Sequence, residues 1–288
     1  MLIVLGLAWG LEYSLLKIAT RSGLSLLEIV ALTAILVFAV MTLIALYRRR
    51  WPAMNWRSAR FYLICAILGY LIEFPLGLIV AEKIPAGLLA VIASTSPVFT
   101  SLIAIIAKVE VVSARRLAAV GIGLAASLIV LVPGIAIPNP ALLVWVLLAF
   151  GLPILFALYH NYAVFDWPGK ADSWQVAHGE ATIAALFVCA YLVIFGDGLS
   201  QSGNITNSAW SIGAISALTV LEIYLYFEIV RRVGAVFVSL AGFIGIFAGV
   251  VWGMILFGES HSGWVWVGIV LLSSSILLLR ERGAESSE

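Results

Sequence analysis

The chain has 288 residues, of which 63% are hydrophobic and 11% charged, and its mean hydropathy is +1.14. A water-soluble domain of this size carries roughly a quarter charged residues, so lipid is the solvent for most of this surface. The net charge of +1 excludes the dense basic face that a nucleic-acid partner demands.

A helix needs about 20 largely apolar residues to cross the hydrocarbon core. Ten runs meet that need: 2–20, 26–47, 59–81, 85–107, 115–133, 141–164, 174–196, 210–230, 234–257 and 264–279. They are continuous, without the alternation of a β-barrel strand, and their short connections leave no room for a soluble domain. Met1 leads into the first run without a basic n-region, so no cleavable signal peptide is expected. Cys65 and Cys189 lie inside apolar runs and read as buried small hydrophobes, with no disulfide framework.

Basic residues orient the runs, because short cytoplasmic loops retain Lys and Arg. With a cytoplasmic N-terminus, 13 of the 16 basic residues fall inside, from the triplet Arg48-Arg49-Arg50 to Arg280 and Arg282, leaving Lys17, Arg21 and Lys83 outside. Both termini are therefore expected in the cytoplasm. Arg48-Arg49-Arg50 with Trp51 and Trp56 reads as an interfacial anchor, with membrane lipid as its neighbour.

Sliding the chain on itself gives an ungapped register at an offset of 149, which lays Glu73 on Glu222, Ala86 on Ala235 and Glu110 on Glu259. Five spans per half force the halves to insert in opposite senses, an architecture that recurs in secondary transporters. The expected fold is an all-α integral membrane protein of ten transmembrane helices, arranged as two inverted five-helix repeats around a central cavity. The repeats are expected at residues 1–135 and 136–288.

Ala8-Trp9-Gly10 with Lys17, and Pro85-Ala86-Gly87 leading to Ser94-Thr95-Ser96-Pro97-Val98-Phe99, resemble the signatures of the drug/metabolite transporter superfamily, EamA-type branch. Arg231-Arg232-Val233-Gly234-Ala235 and Gly258-Glu259 continue the resemblance in the second half. It implies ten helices around a cavity lined mainly by spans 1, 3, 4, 6, 8 and 9, with alternating access carrying metabolites across. The second half has Ile246 where the first has Pro97, and Glu12 follows Trp-Gly where many relatives carry a neutral polar residue.

Glu12, Glu73 and Glu222 lie near the middle of their spans, where an unpaired ionisable group costs about 2.5–3.5 kcal/mol. Set around one cavity, they would bind a cationic group or exchange protons; the alternative is interhelical packing glue. Gly69, Glu73 and Gly77 recur at four-residue spacing beside Tyr70, and Thr219, Glu222 and Tyr226 form a comparable stripe. Tyr13, Tyr159, His160 and Asn161 complete the candidate substrate-binding or proton-coupling set, with Pro153 as a kink in the sixth span. His178 and Glu180 form no HExxH motif and read as interhelical or interfacial polar contacts. Glu228 is expected to pair with Arg231 or Arg232, and Gly242, Gly245, Gly249 and Gly253 form a small-residue packing ridge.

No Walker, GxSxG or zinc motif occurs, so no enzyme activity, cofactor or metal is expected. The reading is a proton-coupled exporter of small polar metabolites, amino acids or amines foremost, in a bacterial inner membrane, as a monomer or homodimer. Two other functions stay open: a transporter of quaternary ammonium or lipophilic cations, walled by Tyr13, Tyr159, Tyr224 or Tyr226, and a non-transporting membrane sensor.

Overall fold

The computed structural model describes residues 1–20, 24–81, 83, 92–93, 95–109, 113–131, 143–195, 205–258 and scattered positions from 263 to 278. The expected last span, Pro85-Ala86-Gly87, Glu110, Glu259 and the uncharged stretch from Val132 to Pro140 lie wholly or mostly outside these residues.

Every regular element among the described residues is helical. In chain order they are α1 (Leu2–Thr20), α2 (Leu26–Arg48), α3 (Trp56–Ala66), a π turn (Ile67–Leu71), α4 (Glu73–Ala81), α5 (Ser96–Ile106) and α6 (Ala114–Leu131). There follow α7 (Leu143–Ala149), α8 (Gly151–Phe165), α9 (Ser173–Phe195), α10 (Ile205–Val233), α11 (Ala235–Ser239) and α12 (Ala241–Phe257). Six helical segments in them are long and apolar enough to cross a membrane: Leu26–Arg48, Trp56–Gly77, Leu143–Phe165, Ser173–Phe195, Ala209–Val233 and Ala235–Phe257. Leu2–Glu12 and Ser96–Ile106 are shorter apolar segments.

Local chemistry sets the helix ends. Ser25 caps α2 in a reciprocal box: its hydroxyl accepts from the Glu28 amide at 3.3 Å, and Glu28 Oε2 accepts from the Ser25 amide at 2.7 Å. Glu28 thus serves a cap. Asn55 caps α3 by accepting from the Ser58 amide at 3.0 Å. Two prolines interrupt spans that composition alone runs through. Pro153, which has no amide proton to give Ala149, sits in the first turn of α8, just after the ladder breaks at Phe150. Pro75 sits in the first turn of α4, and directly before that helix the Ile72 amide reaches back five residues to the Ile67 carbonyl at 3.1 Å. The resulting π turn puts an extra residue into the third span just before Glu73, where the sequence predicted an uninterrupted helix.

Helices from the N-terminal part pack on helices from the C-terminal part: α1 on α12 and α10, α2 on α9 and α10, α5 on α8. The α1–α12 seam is the tightest, with backbone against backbone. A Cβ built on Gly10 would lie 2.6 Å from the Gly249 amide nitrogen and 2.7 Å from the Gly245 carbonyl oxygen. One on Gly6 would lie 2.4 Å from Ile244 Cβ. Of the expected glycine ridge, Gly245 and Gly249 therefore pack on α1, whereas nothing stands within 4 Å of a Cβ on Gly242. Cys65 is buried, but Cys189 is exposed on α9, contrary to expectation. An apolar run does not reveal which of its faces meets lipid.

Candidate functional site

Close packing of α1 on α12 and α10 brings the Glu12 and Glu222 carboxyl groups within electrostatic reach of each other. Two ionised carboxylates that close repel strongly in a low-dielectric medium, so the pair favours holding a proton or a cation. Glu73 and Tyr70 both lie within electrostatic reach of Glu12. Glu12 thus lies within electrostatic reach of both other mid-span glutamates. Glu222 is 5% exposed, and its Oε1 has no hydrogen-bond partner among the described residues. A buried, unpaired carboxyl oxygen is a standing acceptor for a cation or a further donor.

Other residues of the predicted set are already engaged. Tyr70 donates to the Val30 carbonyl at 2.8 Å and stacks on Phe74, which ties α2 to the π turn. The Tyr13 side chain lies outside what the structure describes. Asn161 donates to the Thr100 carbonyl at 3.1 Å and to Ala157 at 2.8 Å, locking α8 to α5. Asn161→Leu should destabilise the protein by about 1 kcal/mol, the usual scale for an interhelical hydrogen bond in a bilayer, read by thermal unfolding in detergent.

Tyr159, His160 and Tyr226 gather in a second cluster. The Tyr159 and Tyr226 rings stack at 4.7 Å and 6°, and the Tyr226 hydroxyl shares a hydrogen bond with His160 Nδ1 at 3.1 Å. The Tyr159 hydroxyl donates to Glu180, at 2.8 and 3.0 Å from its two oxygens. Gly69 accommodates this tyrosine, since a Cβ there would lie 2.8 Å from the ring. Glu180 is an interhelical contact, one of the two readings its sequence position allowed, but it is also a further buried carboxyl within a span that the candidate set omitted. The available signal was a carboxylate two turns inside an otherwise apolar span. Tyr224 stacks on Trp174 at 4.1 Å.

A ring of ion pairs marks one end of the bundle. Asp166 accepts from Arg60 at 2.7 Å and from Tyr162 at 3.0 Å, with Arg57 at 3.6 Å. Arg50 pairs with Asp172 at 2.9 Å. Glu228 holds Arg231 at 2.9 Å, also meets Arg232, and accepts from Ser173, as its predicted pairing requires. Burial works against the charge on Asp166, but Arg60, Tyr162 and Arg57 outweigh it and hold the carboxyl below the usual aspartate range. A depressed folded-state pKa contributes stability above the ordinary aspartate pKa and loses it as the pH falls through the folded value. Asp166→Asn should therefore lower stability at neutral pH by about 1–2 kcal/mol, with the gap closing in acid. Among the described residues no three acidic, His or Cys side chains are arranged to hold a metal ion.

Residues 1–132 match the model of the EamA-like transporter family. By this match residues 1–132, a little under half of the chain, resemble the EamA-like transporters of the drug/metabolite transporter superfamily. Together with the six helical segments able to cross a membrane, the match supports a multi-pass membrane protein. No curated protein matches it significantly. Among solved structures, a chain described as "Crystal structure of protein" is similar at a TM-score of 0.74 and 15% identity, over 97% of this chain and 96% of that one. That likeness is one of fold, and it extends across the C-terminal part of this EamA-like chain as well.

Proposed function

We propose that this EamA-like protein is a secondary transporter that exports small polar metabolites, amino acids or amines, from the bacterial cytoplasm in exchange for protons. In this reading ten spans form two inverted five-helix repeats, residues 1–135 and 136–288, around a central site with both termini cytoplasmic. The supporting observation is the approach of Glu12 to Glu222, one carboxyl from each half, with Glu73 within reach. The pair holds either a proton or the ammonium group of a substrate, and that exclusivity is what couples the two in an exchanger. Rocking of the halves about this pair would open the site alternately to each side.

The quaternary-ammonium reading needs open aromatic walls. Tyr159, Tyr226 and Tyr224 turn their faces to other rings, which favours a primary ammonium held by carboxylates. A thermal-shift screen of the purified protein across amino acids, polyamines and choline-like cations discriminates the two. Amines or amino acids should stabilise it, and the same compounds should flow from proteoliposomes in a pH gradient. Stabilisation by choline-like cations alone would sink the amine reading, and flux indifferent to the pH gradient would sink the coupling.

A further inference from the structure

Glu180 plays no part in the site proposed above, yet it is 3% exposed at membrane depth. Its only hydrogen-bond donor among the described residues is the Tyr159 hydroxyl. The titratable groups facing it are Tyr159 from α8, Tyr226 from α10 and Cys65 from α3, with Tyr62 of α3 pressed against the adjoining Gly179. None is a cation. A charge buried there without a counter-ion is costly enough that such groups are functional by default.

Two routes lead away from Glu180. Towards the central site, Tyr159 stacks on Tyr226, and Tyr226 stands one helical turn beyond Glu222 on α10. Towards the arginine-rich end, the buried Tyr62 hydroxyl lies beside Ser58 and the Ala53 backbone, with no partner at ordinary hydrogen-bond distance among the described residues. Ser58 in turn lines an open recess of about 400 Å³ with Ala53, Arg57 and Lys170. A buried hydroxyl at such spacing next to a polar recess is a natural seat for water.

We propose that Glu180 is a second proton-carrying carboxyl, in series with the Glu12–Glu222 pair, which relays protons between the central site and this recess. The inference rests on the proton-coupled reading above and adds the exit path. Glu180 takes up a proton from the recess side through water. It releases the proton towards Glu222 as the Tyr159–Tyr226 stack rearranges, so each transfer leaves one carboxyl neutral and the other ionised. Glu180 and Tyr159 position and pass the proton; neither touches substrate.

Infrared difference spectroscopy of the full chain in lipid nanodiscs tests this without a known substrate. One carboxylic C=O band, assigned by its loss in Glu180→Gln, should appear and vanish reversibly across roughly pH 5 to 9. It should shift promptly in D2O and persist in the Glu12→Gln/Glu222→Gln double variant. A Glu180 band that is unchanged over the whole range, or that resists D2O for hours, would mean a structural cross-link and overturn the proposal. Tyr159→Phe, which keeps the ring, should move the band's midpoint by about one pH unit; an unmoved midpoint removes Tyr159 from the relay. Ala53→Trp, which fills the recess, should slow deuterium exchange at Glu180 by an order of magnitude while the central carboxyls keep theirs; equal exchange refutes the route. If the central site is misassigned, ligand stabilisation survives Glu222→Gln while the Glu180 band still titrates, so the two readings fail separately.

Discussion

Glu222→Gln is expected to abolish stabilisation of the purified protein by its substrate, and Glu12→Gln to do the same. In the proposed mechanism each carboxyl supplies a charge-assisted hydrogen bond, worth about 1.5–3 kcal/mol, to a bound ammonium. Loss of one therefore weakens binding by about 10- to 150-fold. The amide is close in size to the carboxyl, so the fold persists, and the unpaired Oε1 of Glu222 is replaced by a group that cannot ionise. Proton coupling should fail with binding, because the remaining partner no longer has a carboxyl with which to share a proton. Glu28→Gln is the control: Glu28 only closes the α2 capping box, and substrate response should be intact. If Glu222→Gln kept the native dose response, the pair would be packing glue and the binding site would lie elsewhere.

Gly10→Ala should destabilise the protein by about 3 kcal/mol or more, against the ordinary trend for helices. Alanine in place of an interior helical glycine normally stabilises by about 0.5–1 kcal/mol. At Gly10 the new methyl meets the backbone of Gly245 and Gly249 at 2.6–2.7 Å, and a helix backbone cannot rotate out of the way as a side chain can. The seam must open, which is overpacking in its severest form. Gly213→Ala on α10, where nothing stands within 4 Å of the added Cβ, should show the ordinary gain. Thermal unfolding of the two variants side by side reads the opposite signs. Equal midpoints would mean that the α1–α12 seam is looser than its geometry implies.

The glutamates stand out in the sequence, whereas Gly10 is there only part of the Ala8-Trp9-Gly10 signature, with no sign of its packing role. A carboxylate in mid-span is conspicuous because the bilayer penalises it, and apolar runs fixed α2 and α9 to within a residue or two of their observed ends. Packing was less legible. The π turn was signalled by Pro75, but composition alone reads the third span as continuous. The four-residue spacing of Gly69, Glu73 and Gly77 implied one uninterrupted face, although the extra residue falls between the first two. Tyr159 and Tyr226 were expected beside the glutamates as cavity walls. They instead stack on each other over Glu180, because the meeting of α8 with α10 is decided by cross-chain pairing and not by either helix's own pattern. The same limit hid the exposure of Cys189.

The α1–α12 seam also sets a schedule for assembly. Gly10 and Glu12 leave the ribosome more than 200 residues ahead of Glu222, Gly245 and Gly249. At synthesis rates of about 5–20 residues per second, α1 waits on the order of ten to fifty seconds for the helices that cover its glycine face and take its carboxyl. In that interval a membrane-inserted segment carries an unpartnered acid in lipid. The nascent chain therefore depends on its insertion machinery to shelter α1, and slowing translation between α2 and α10 should expose this first helix to membrane proteases.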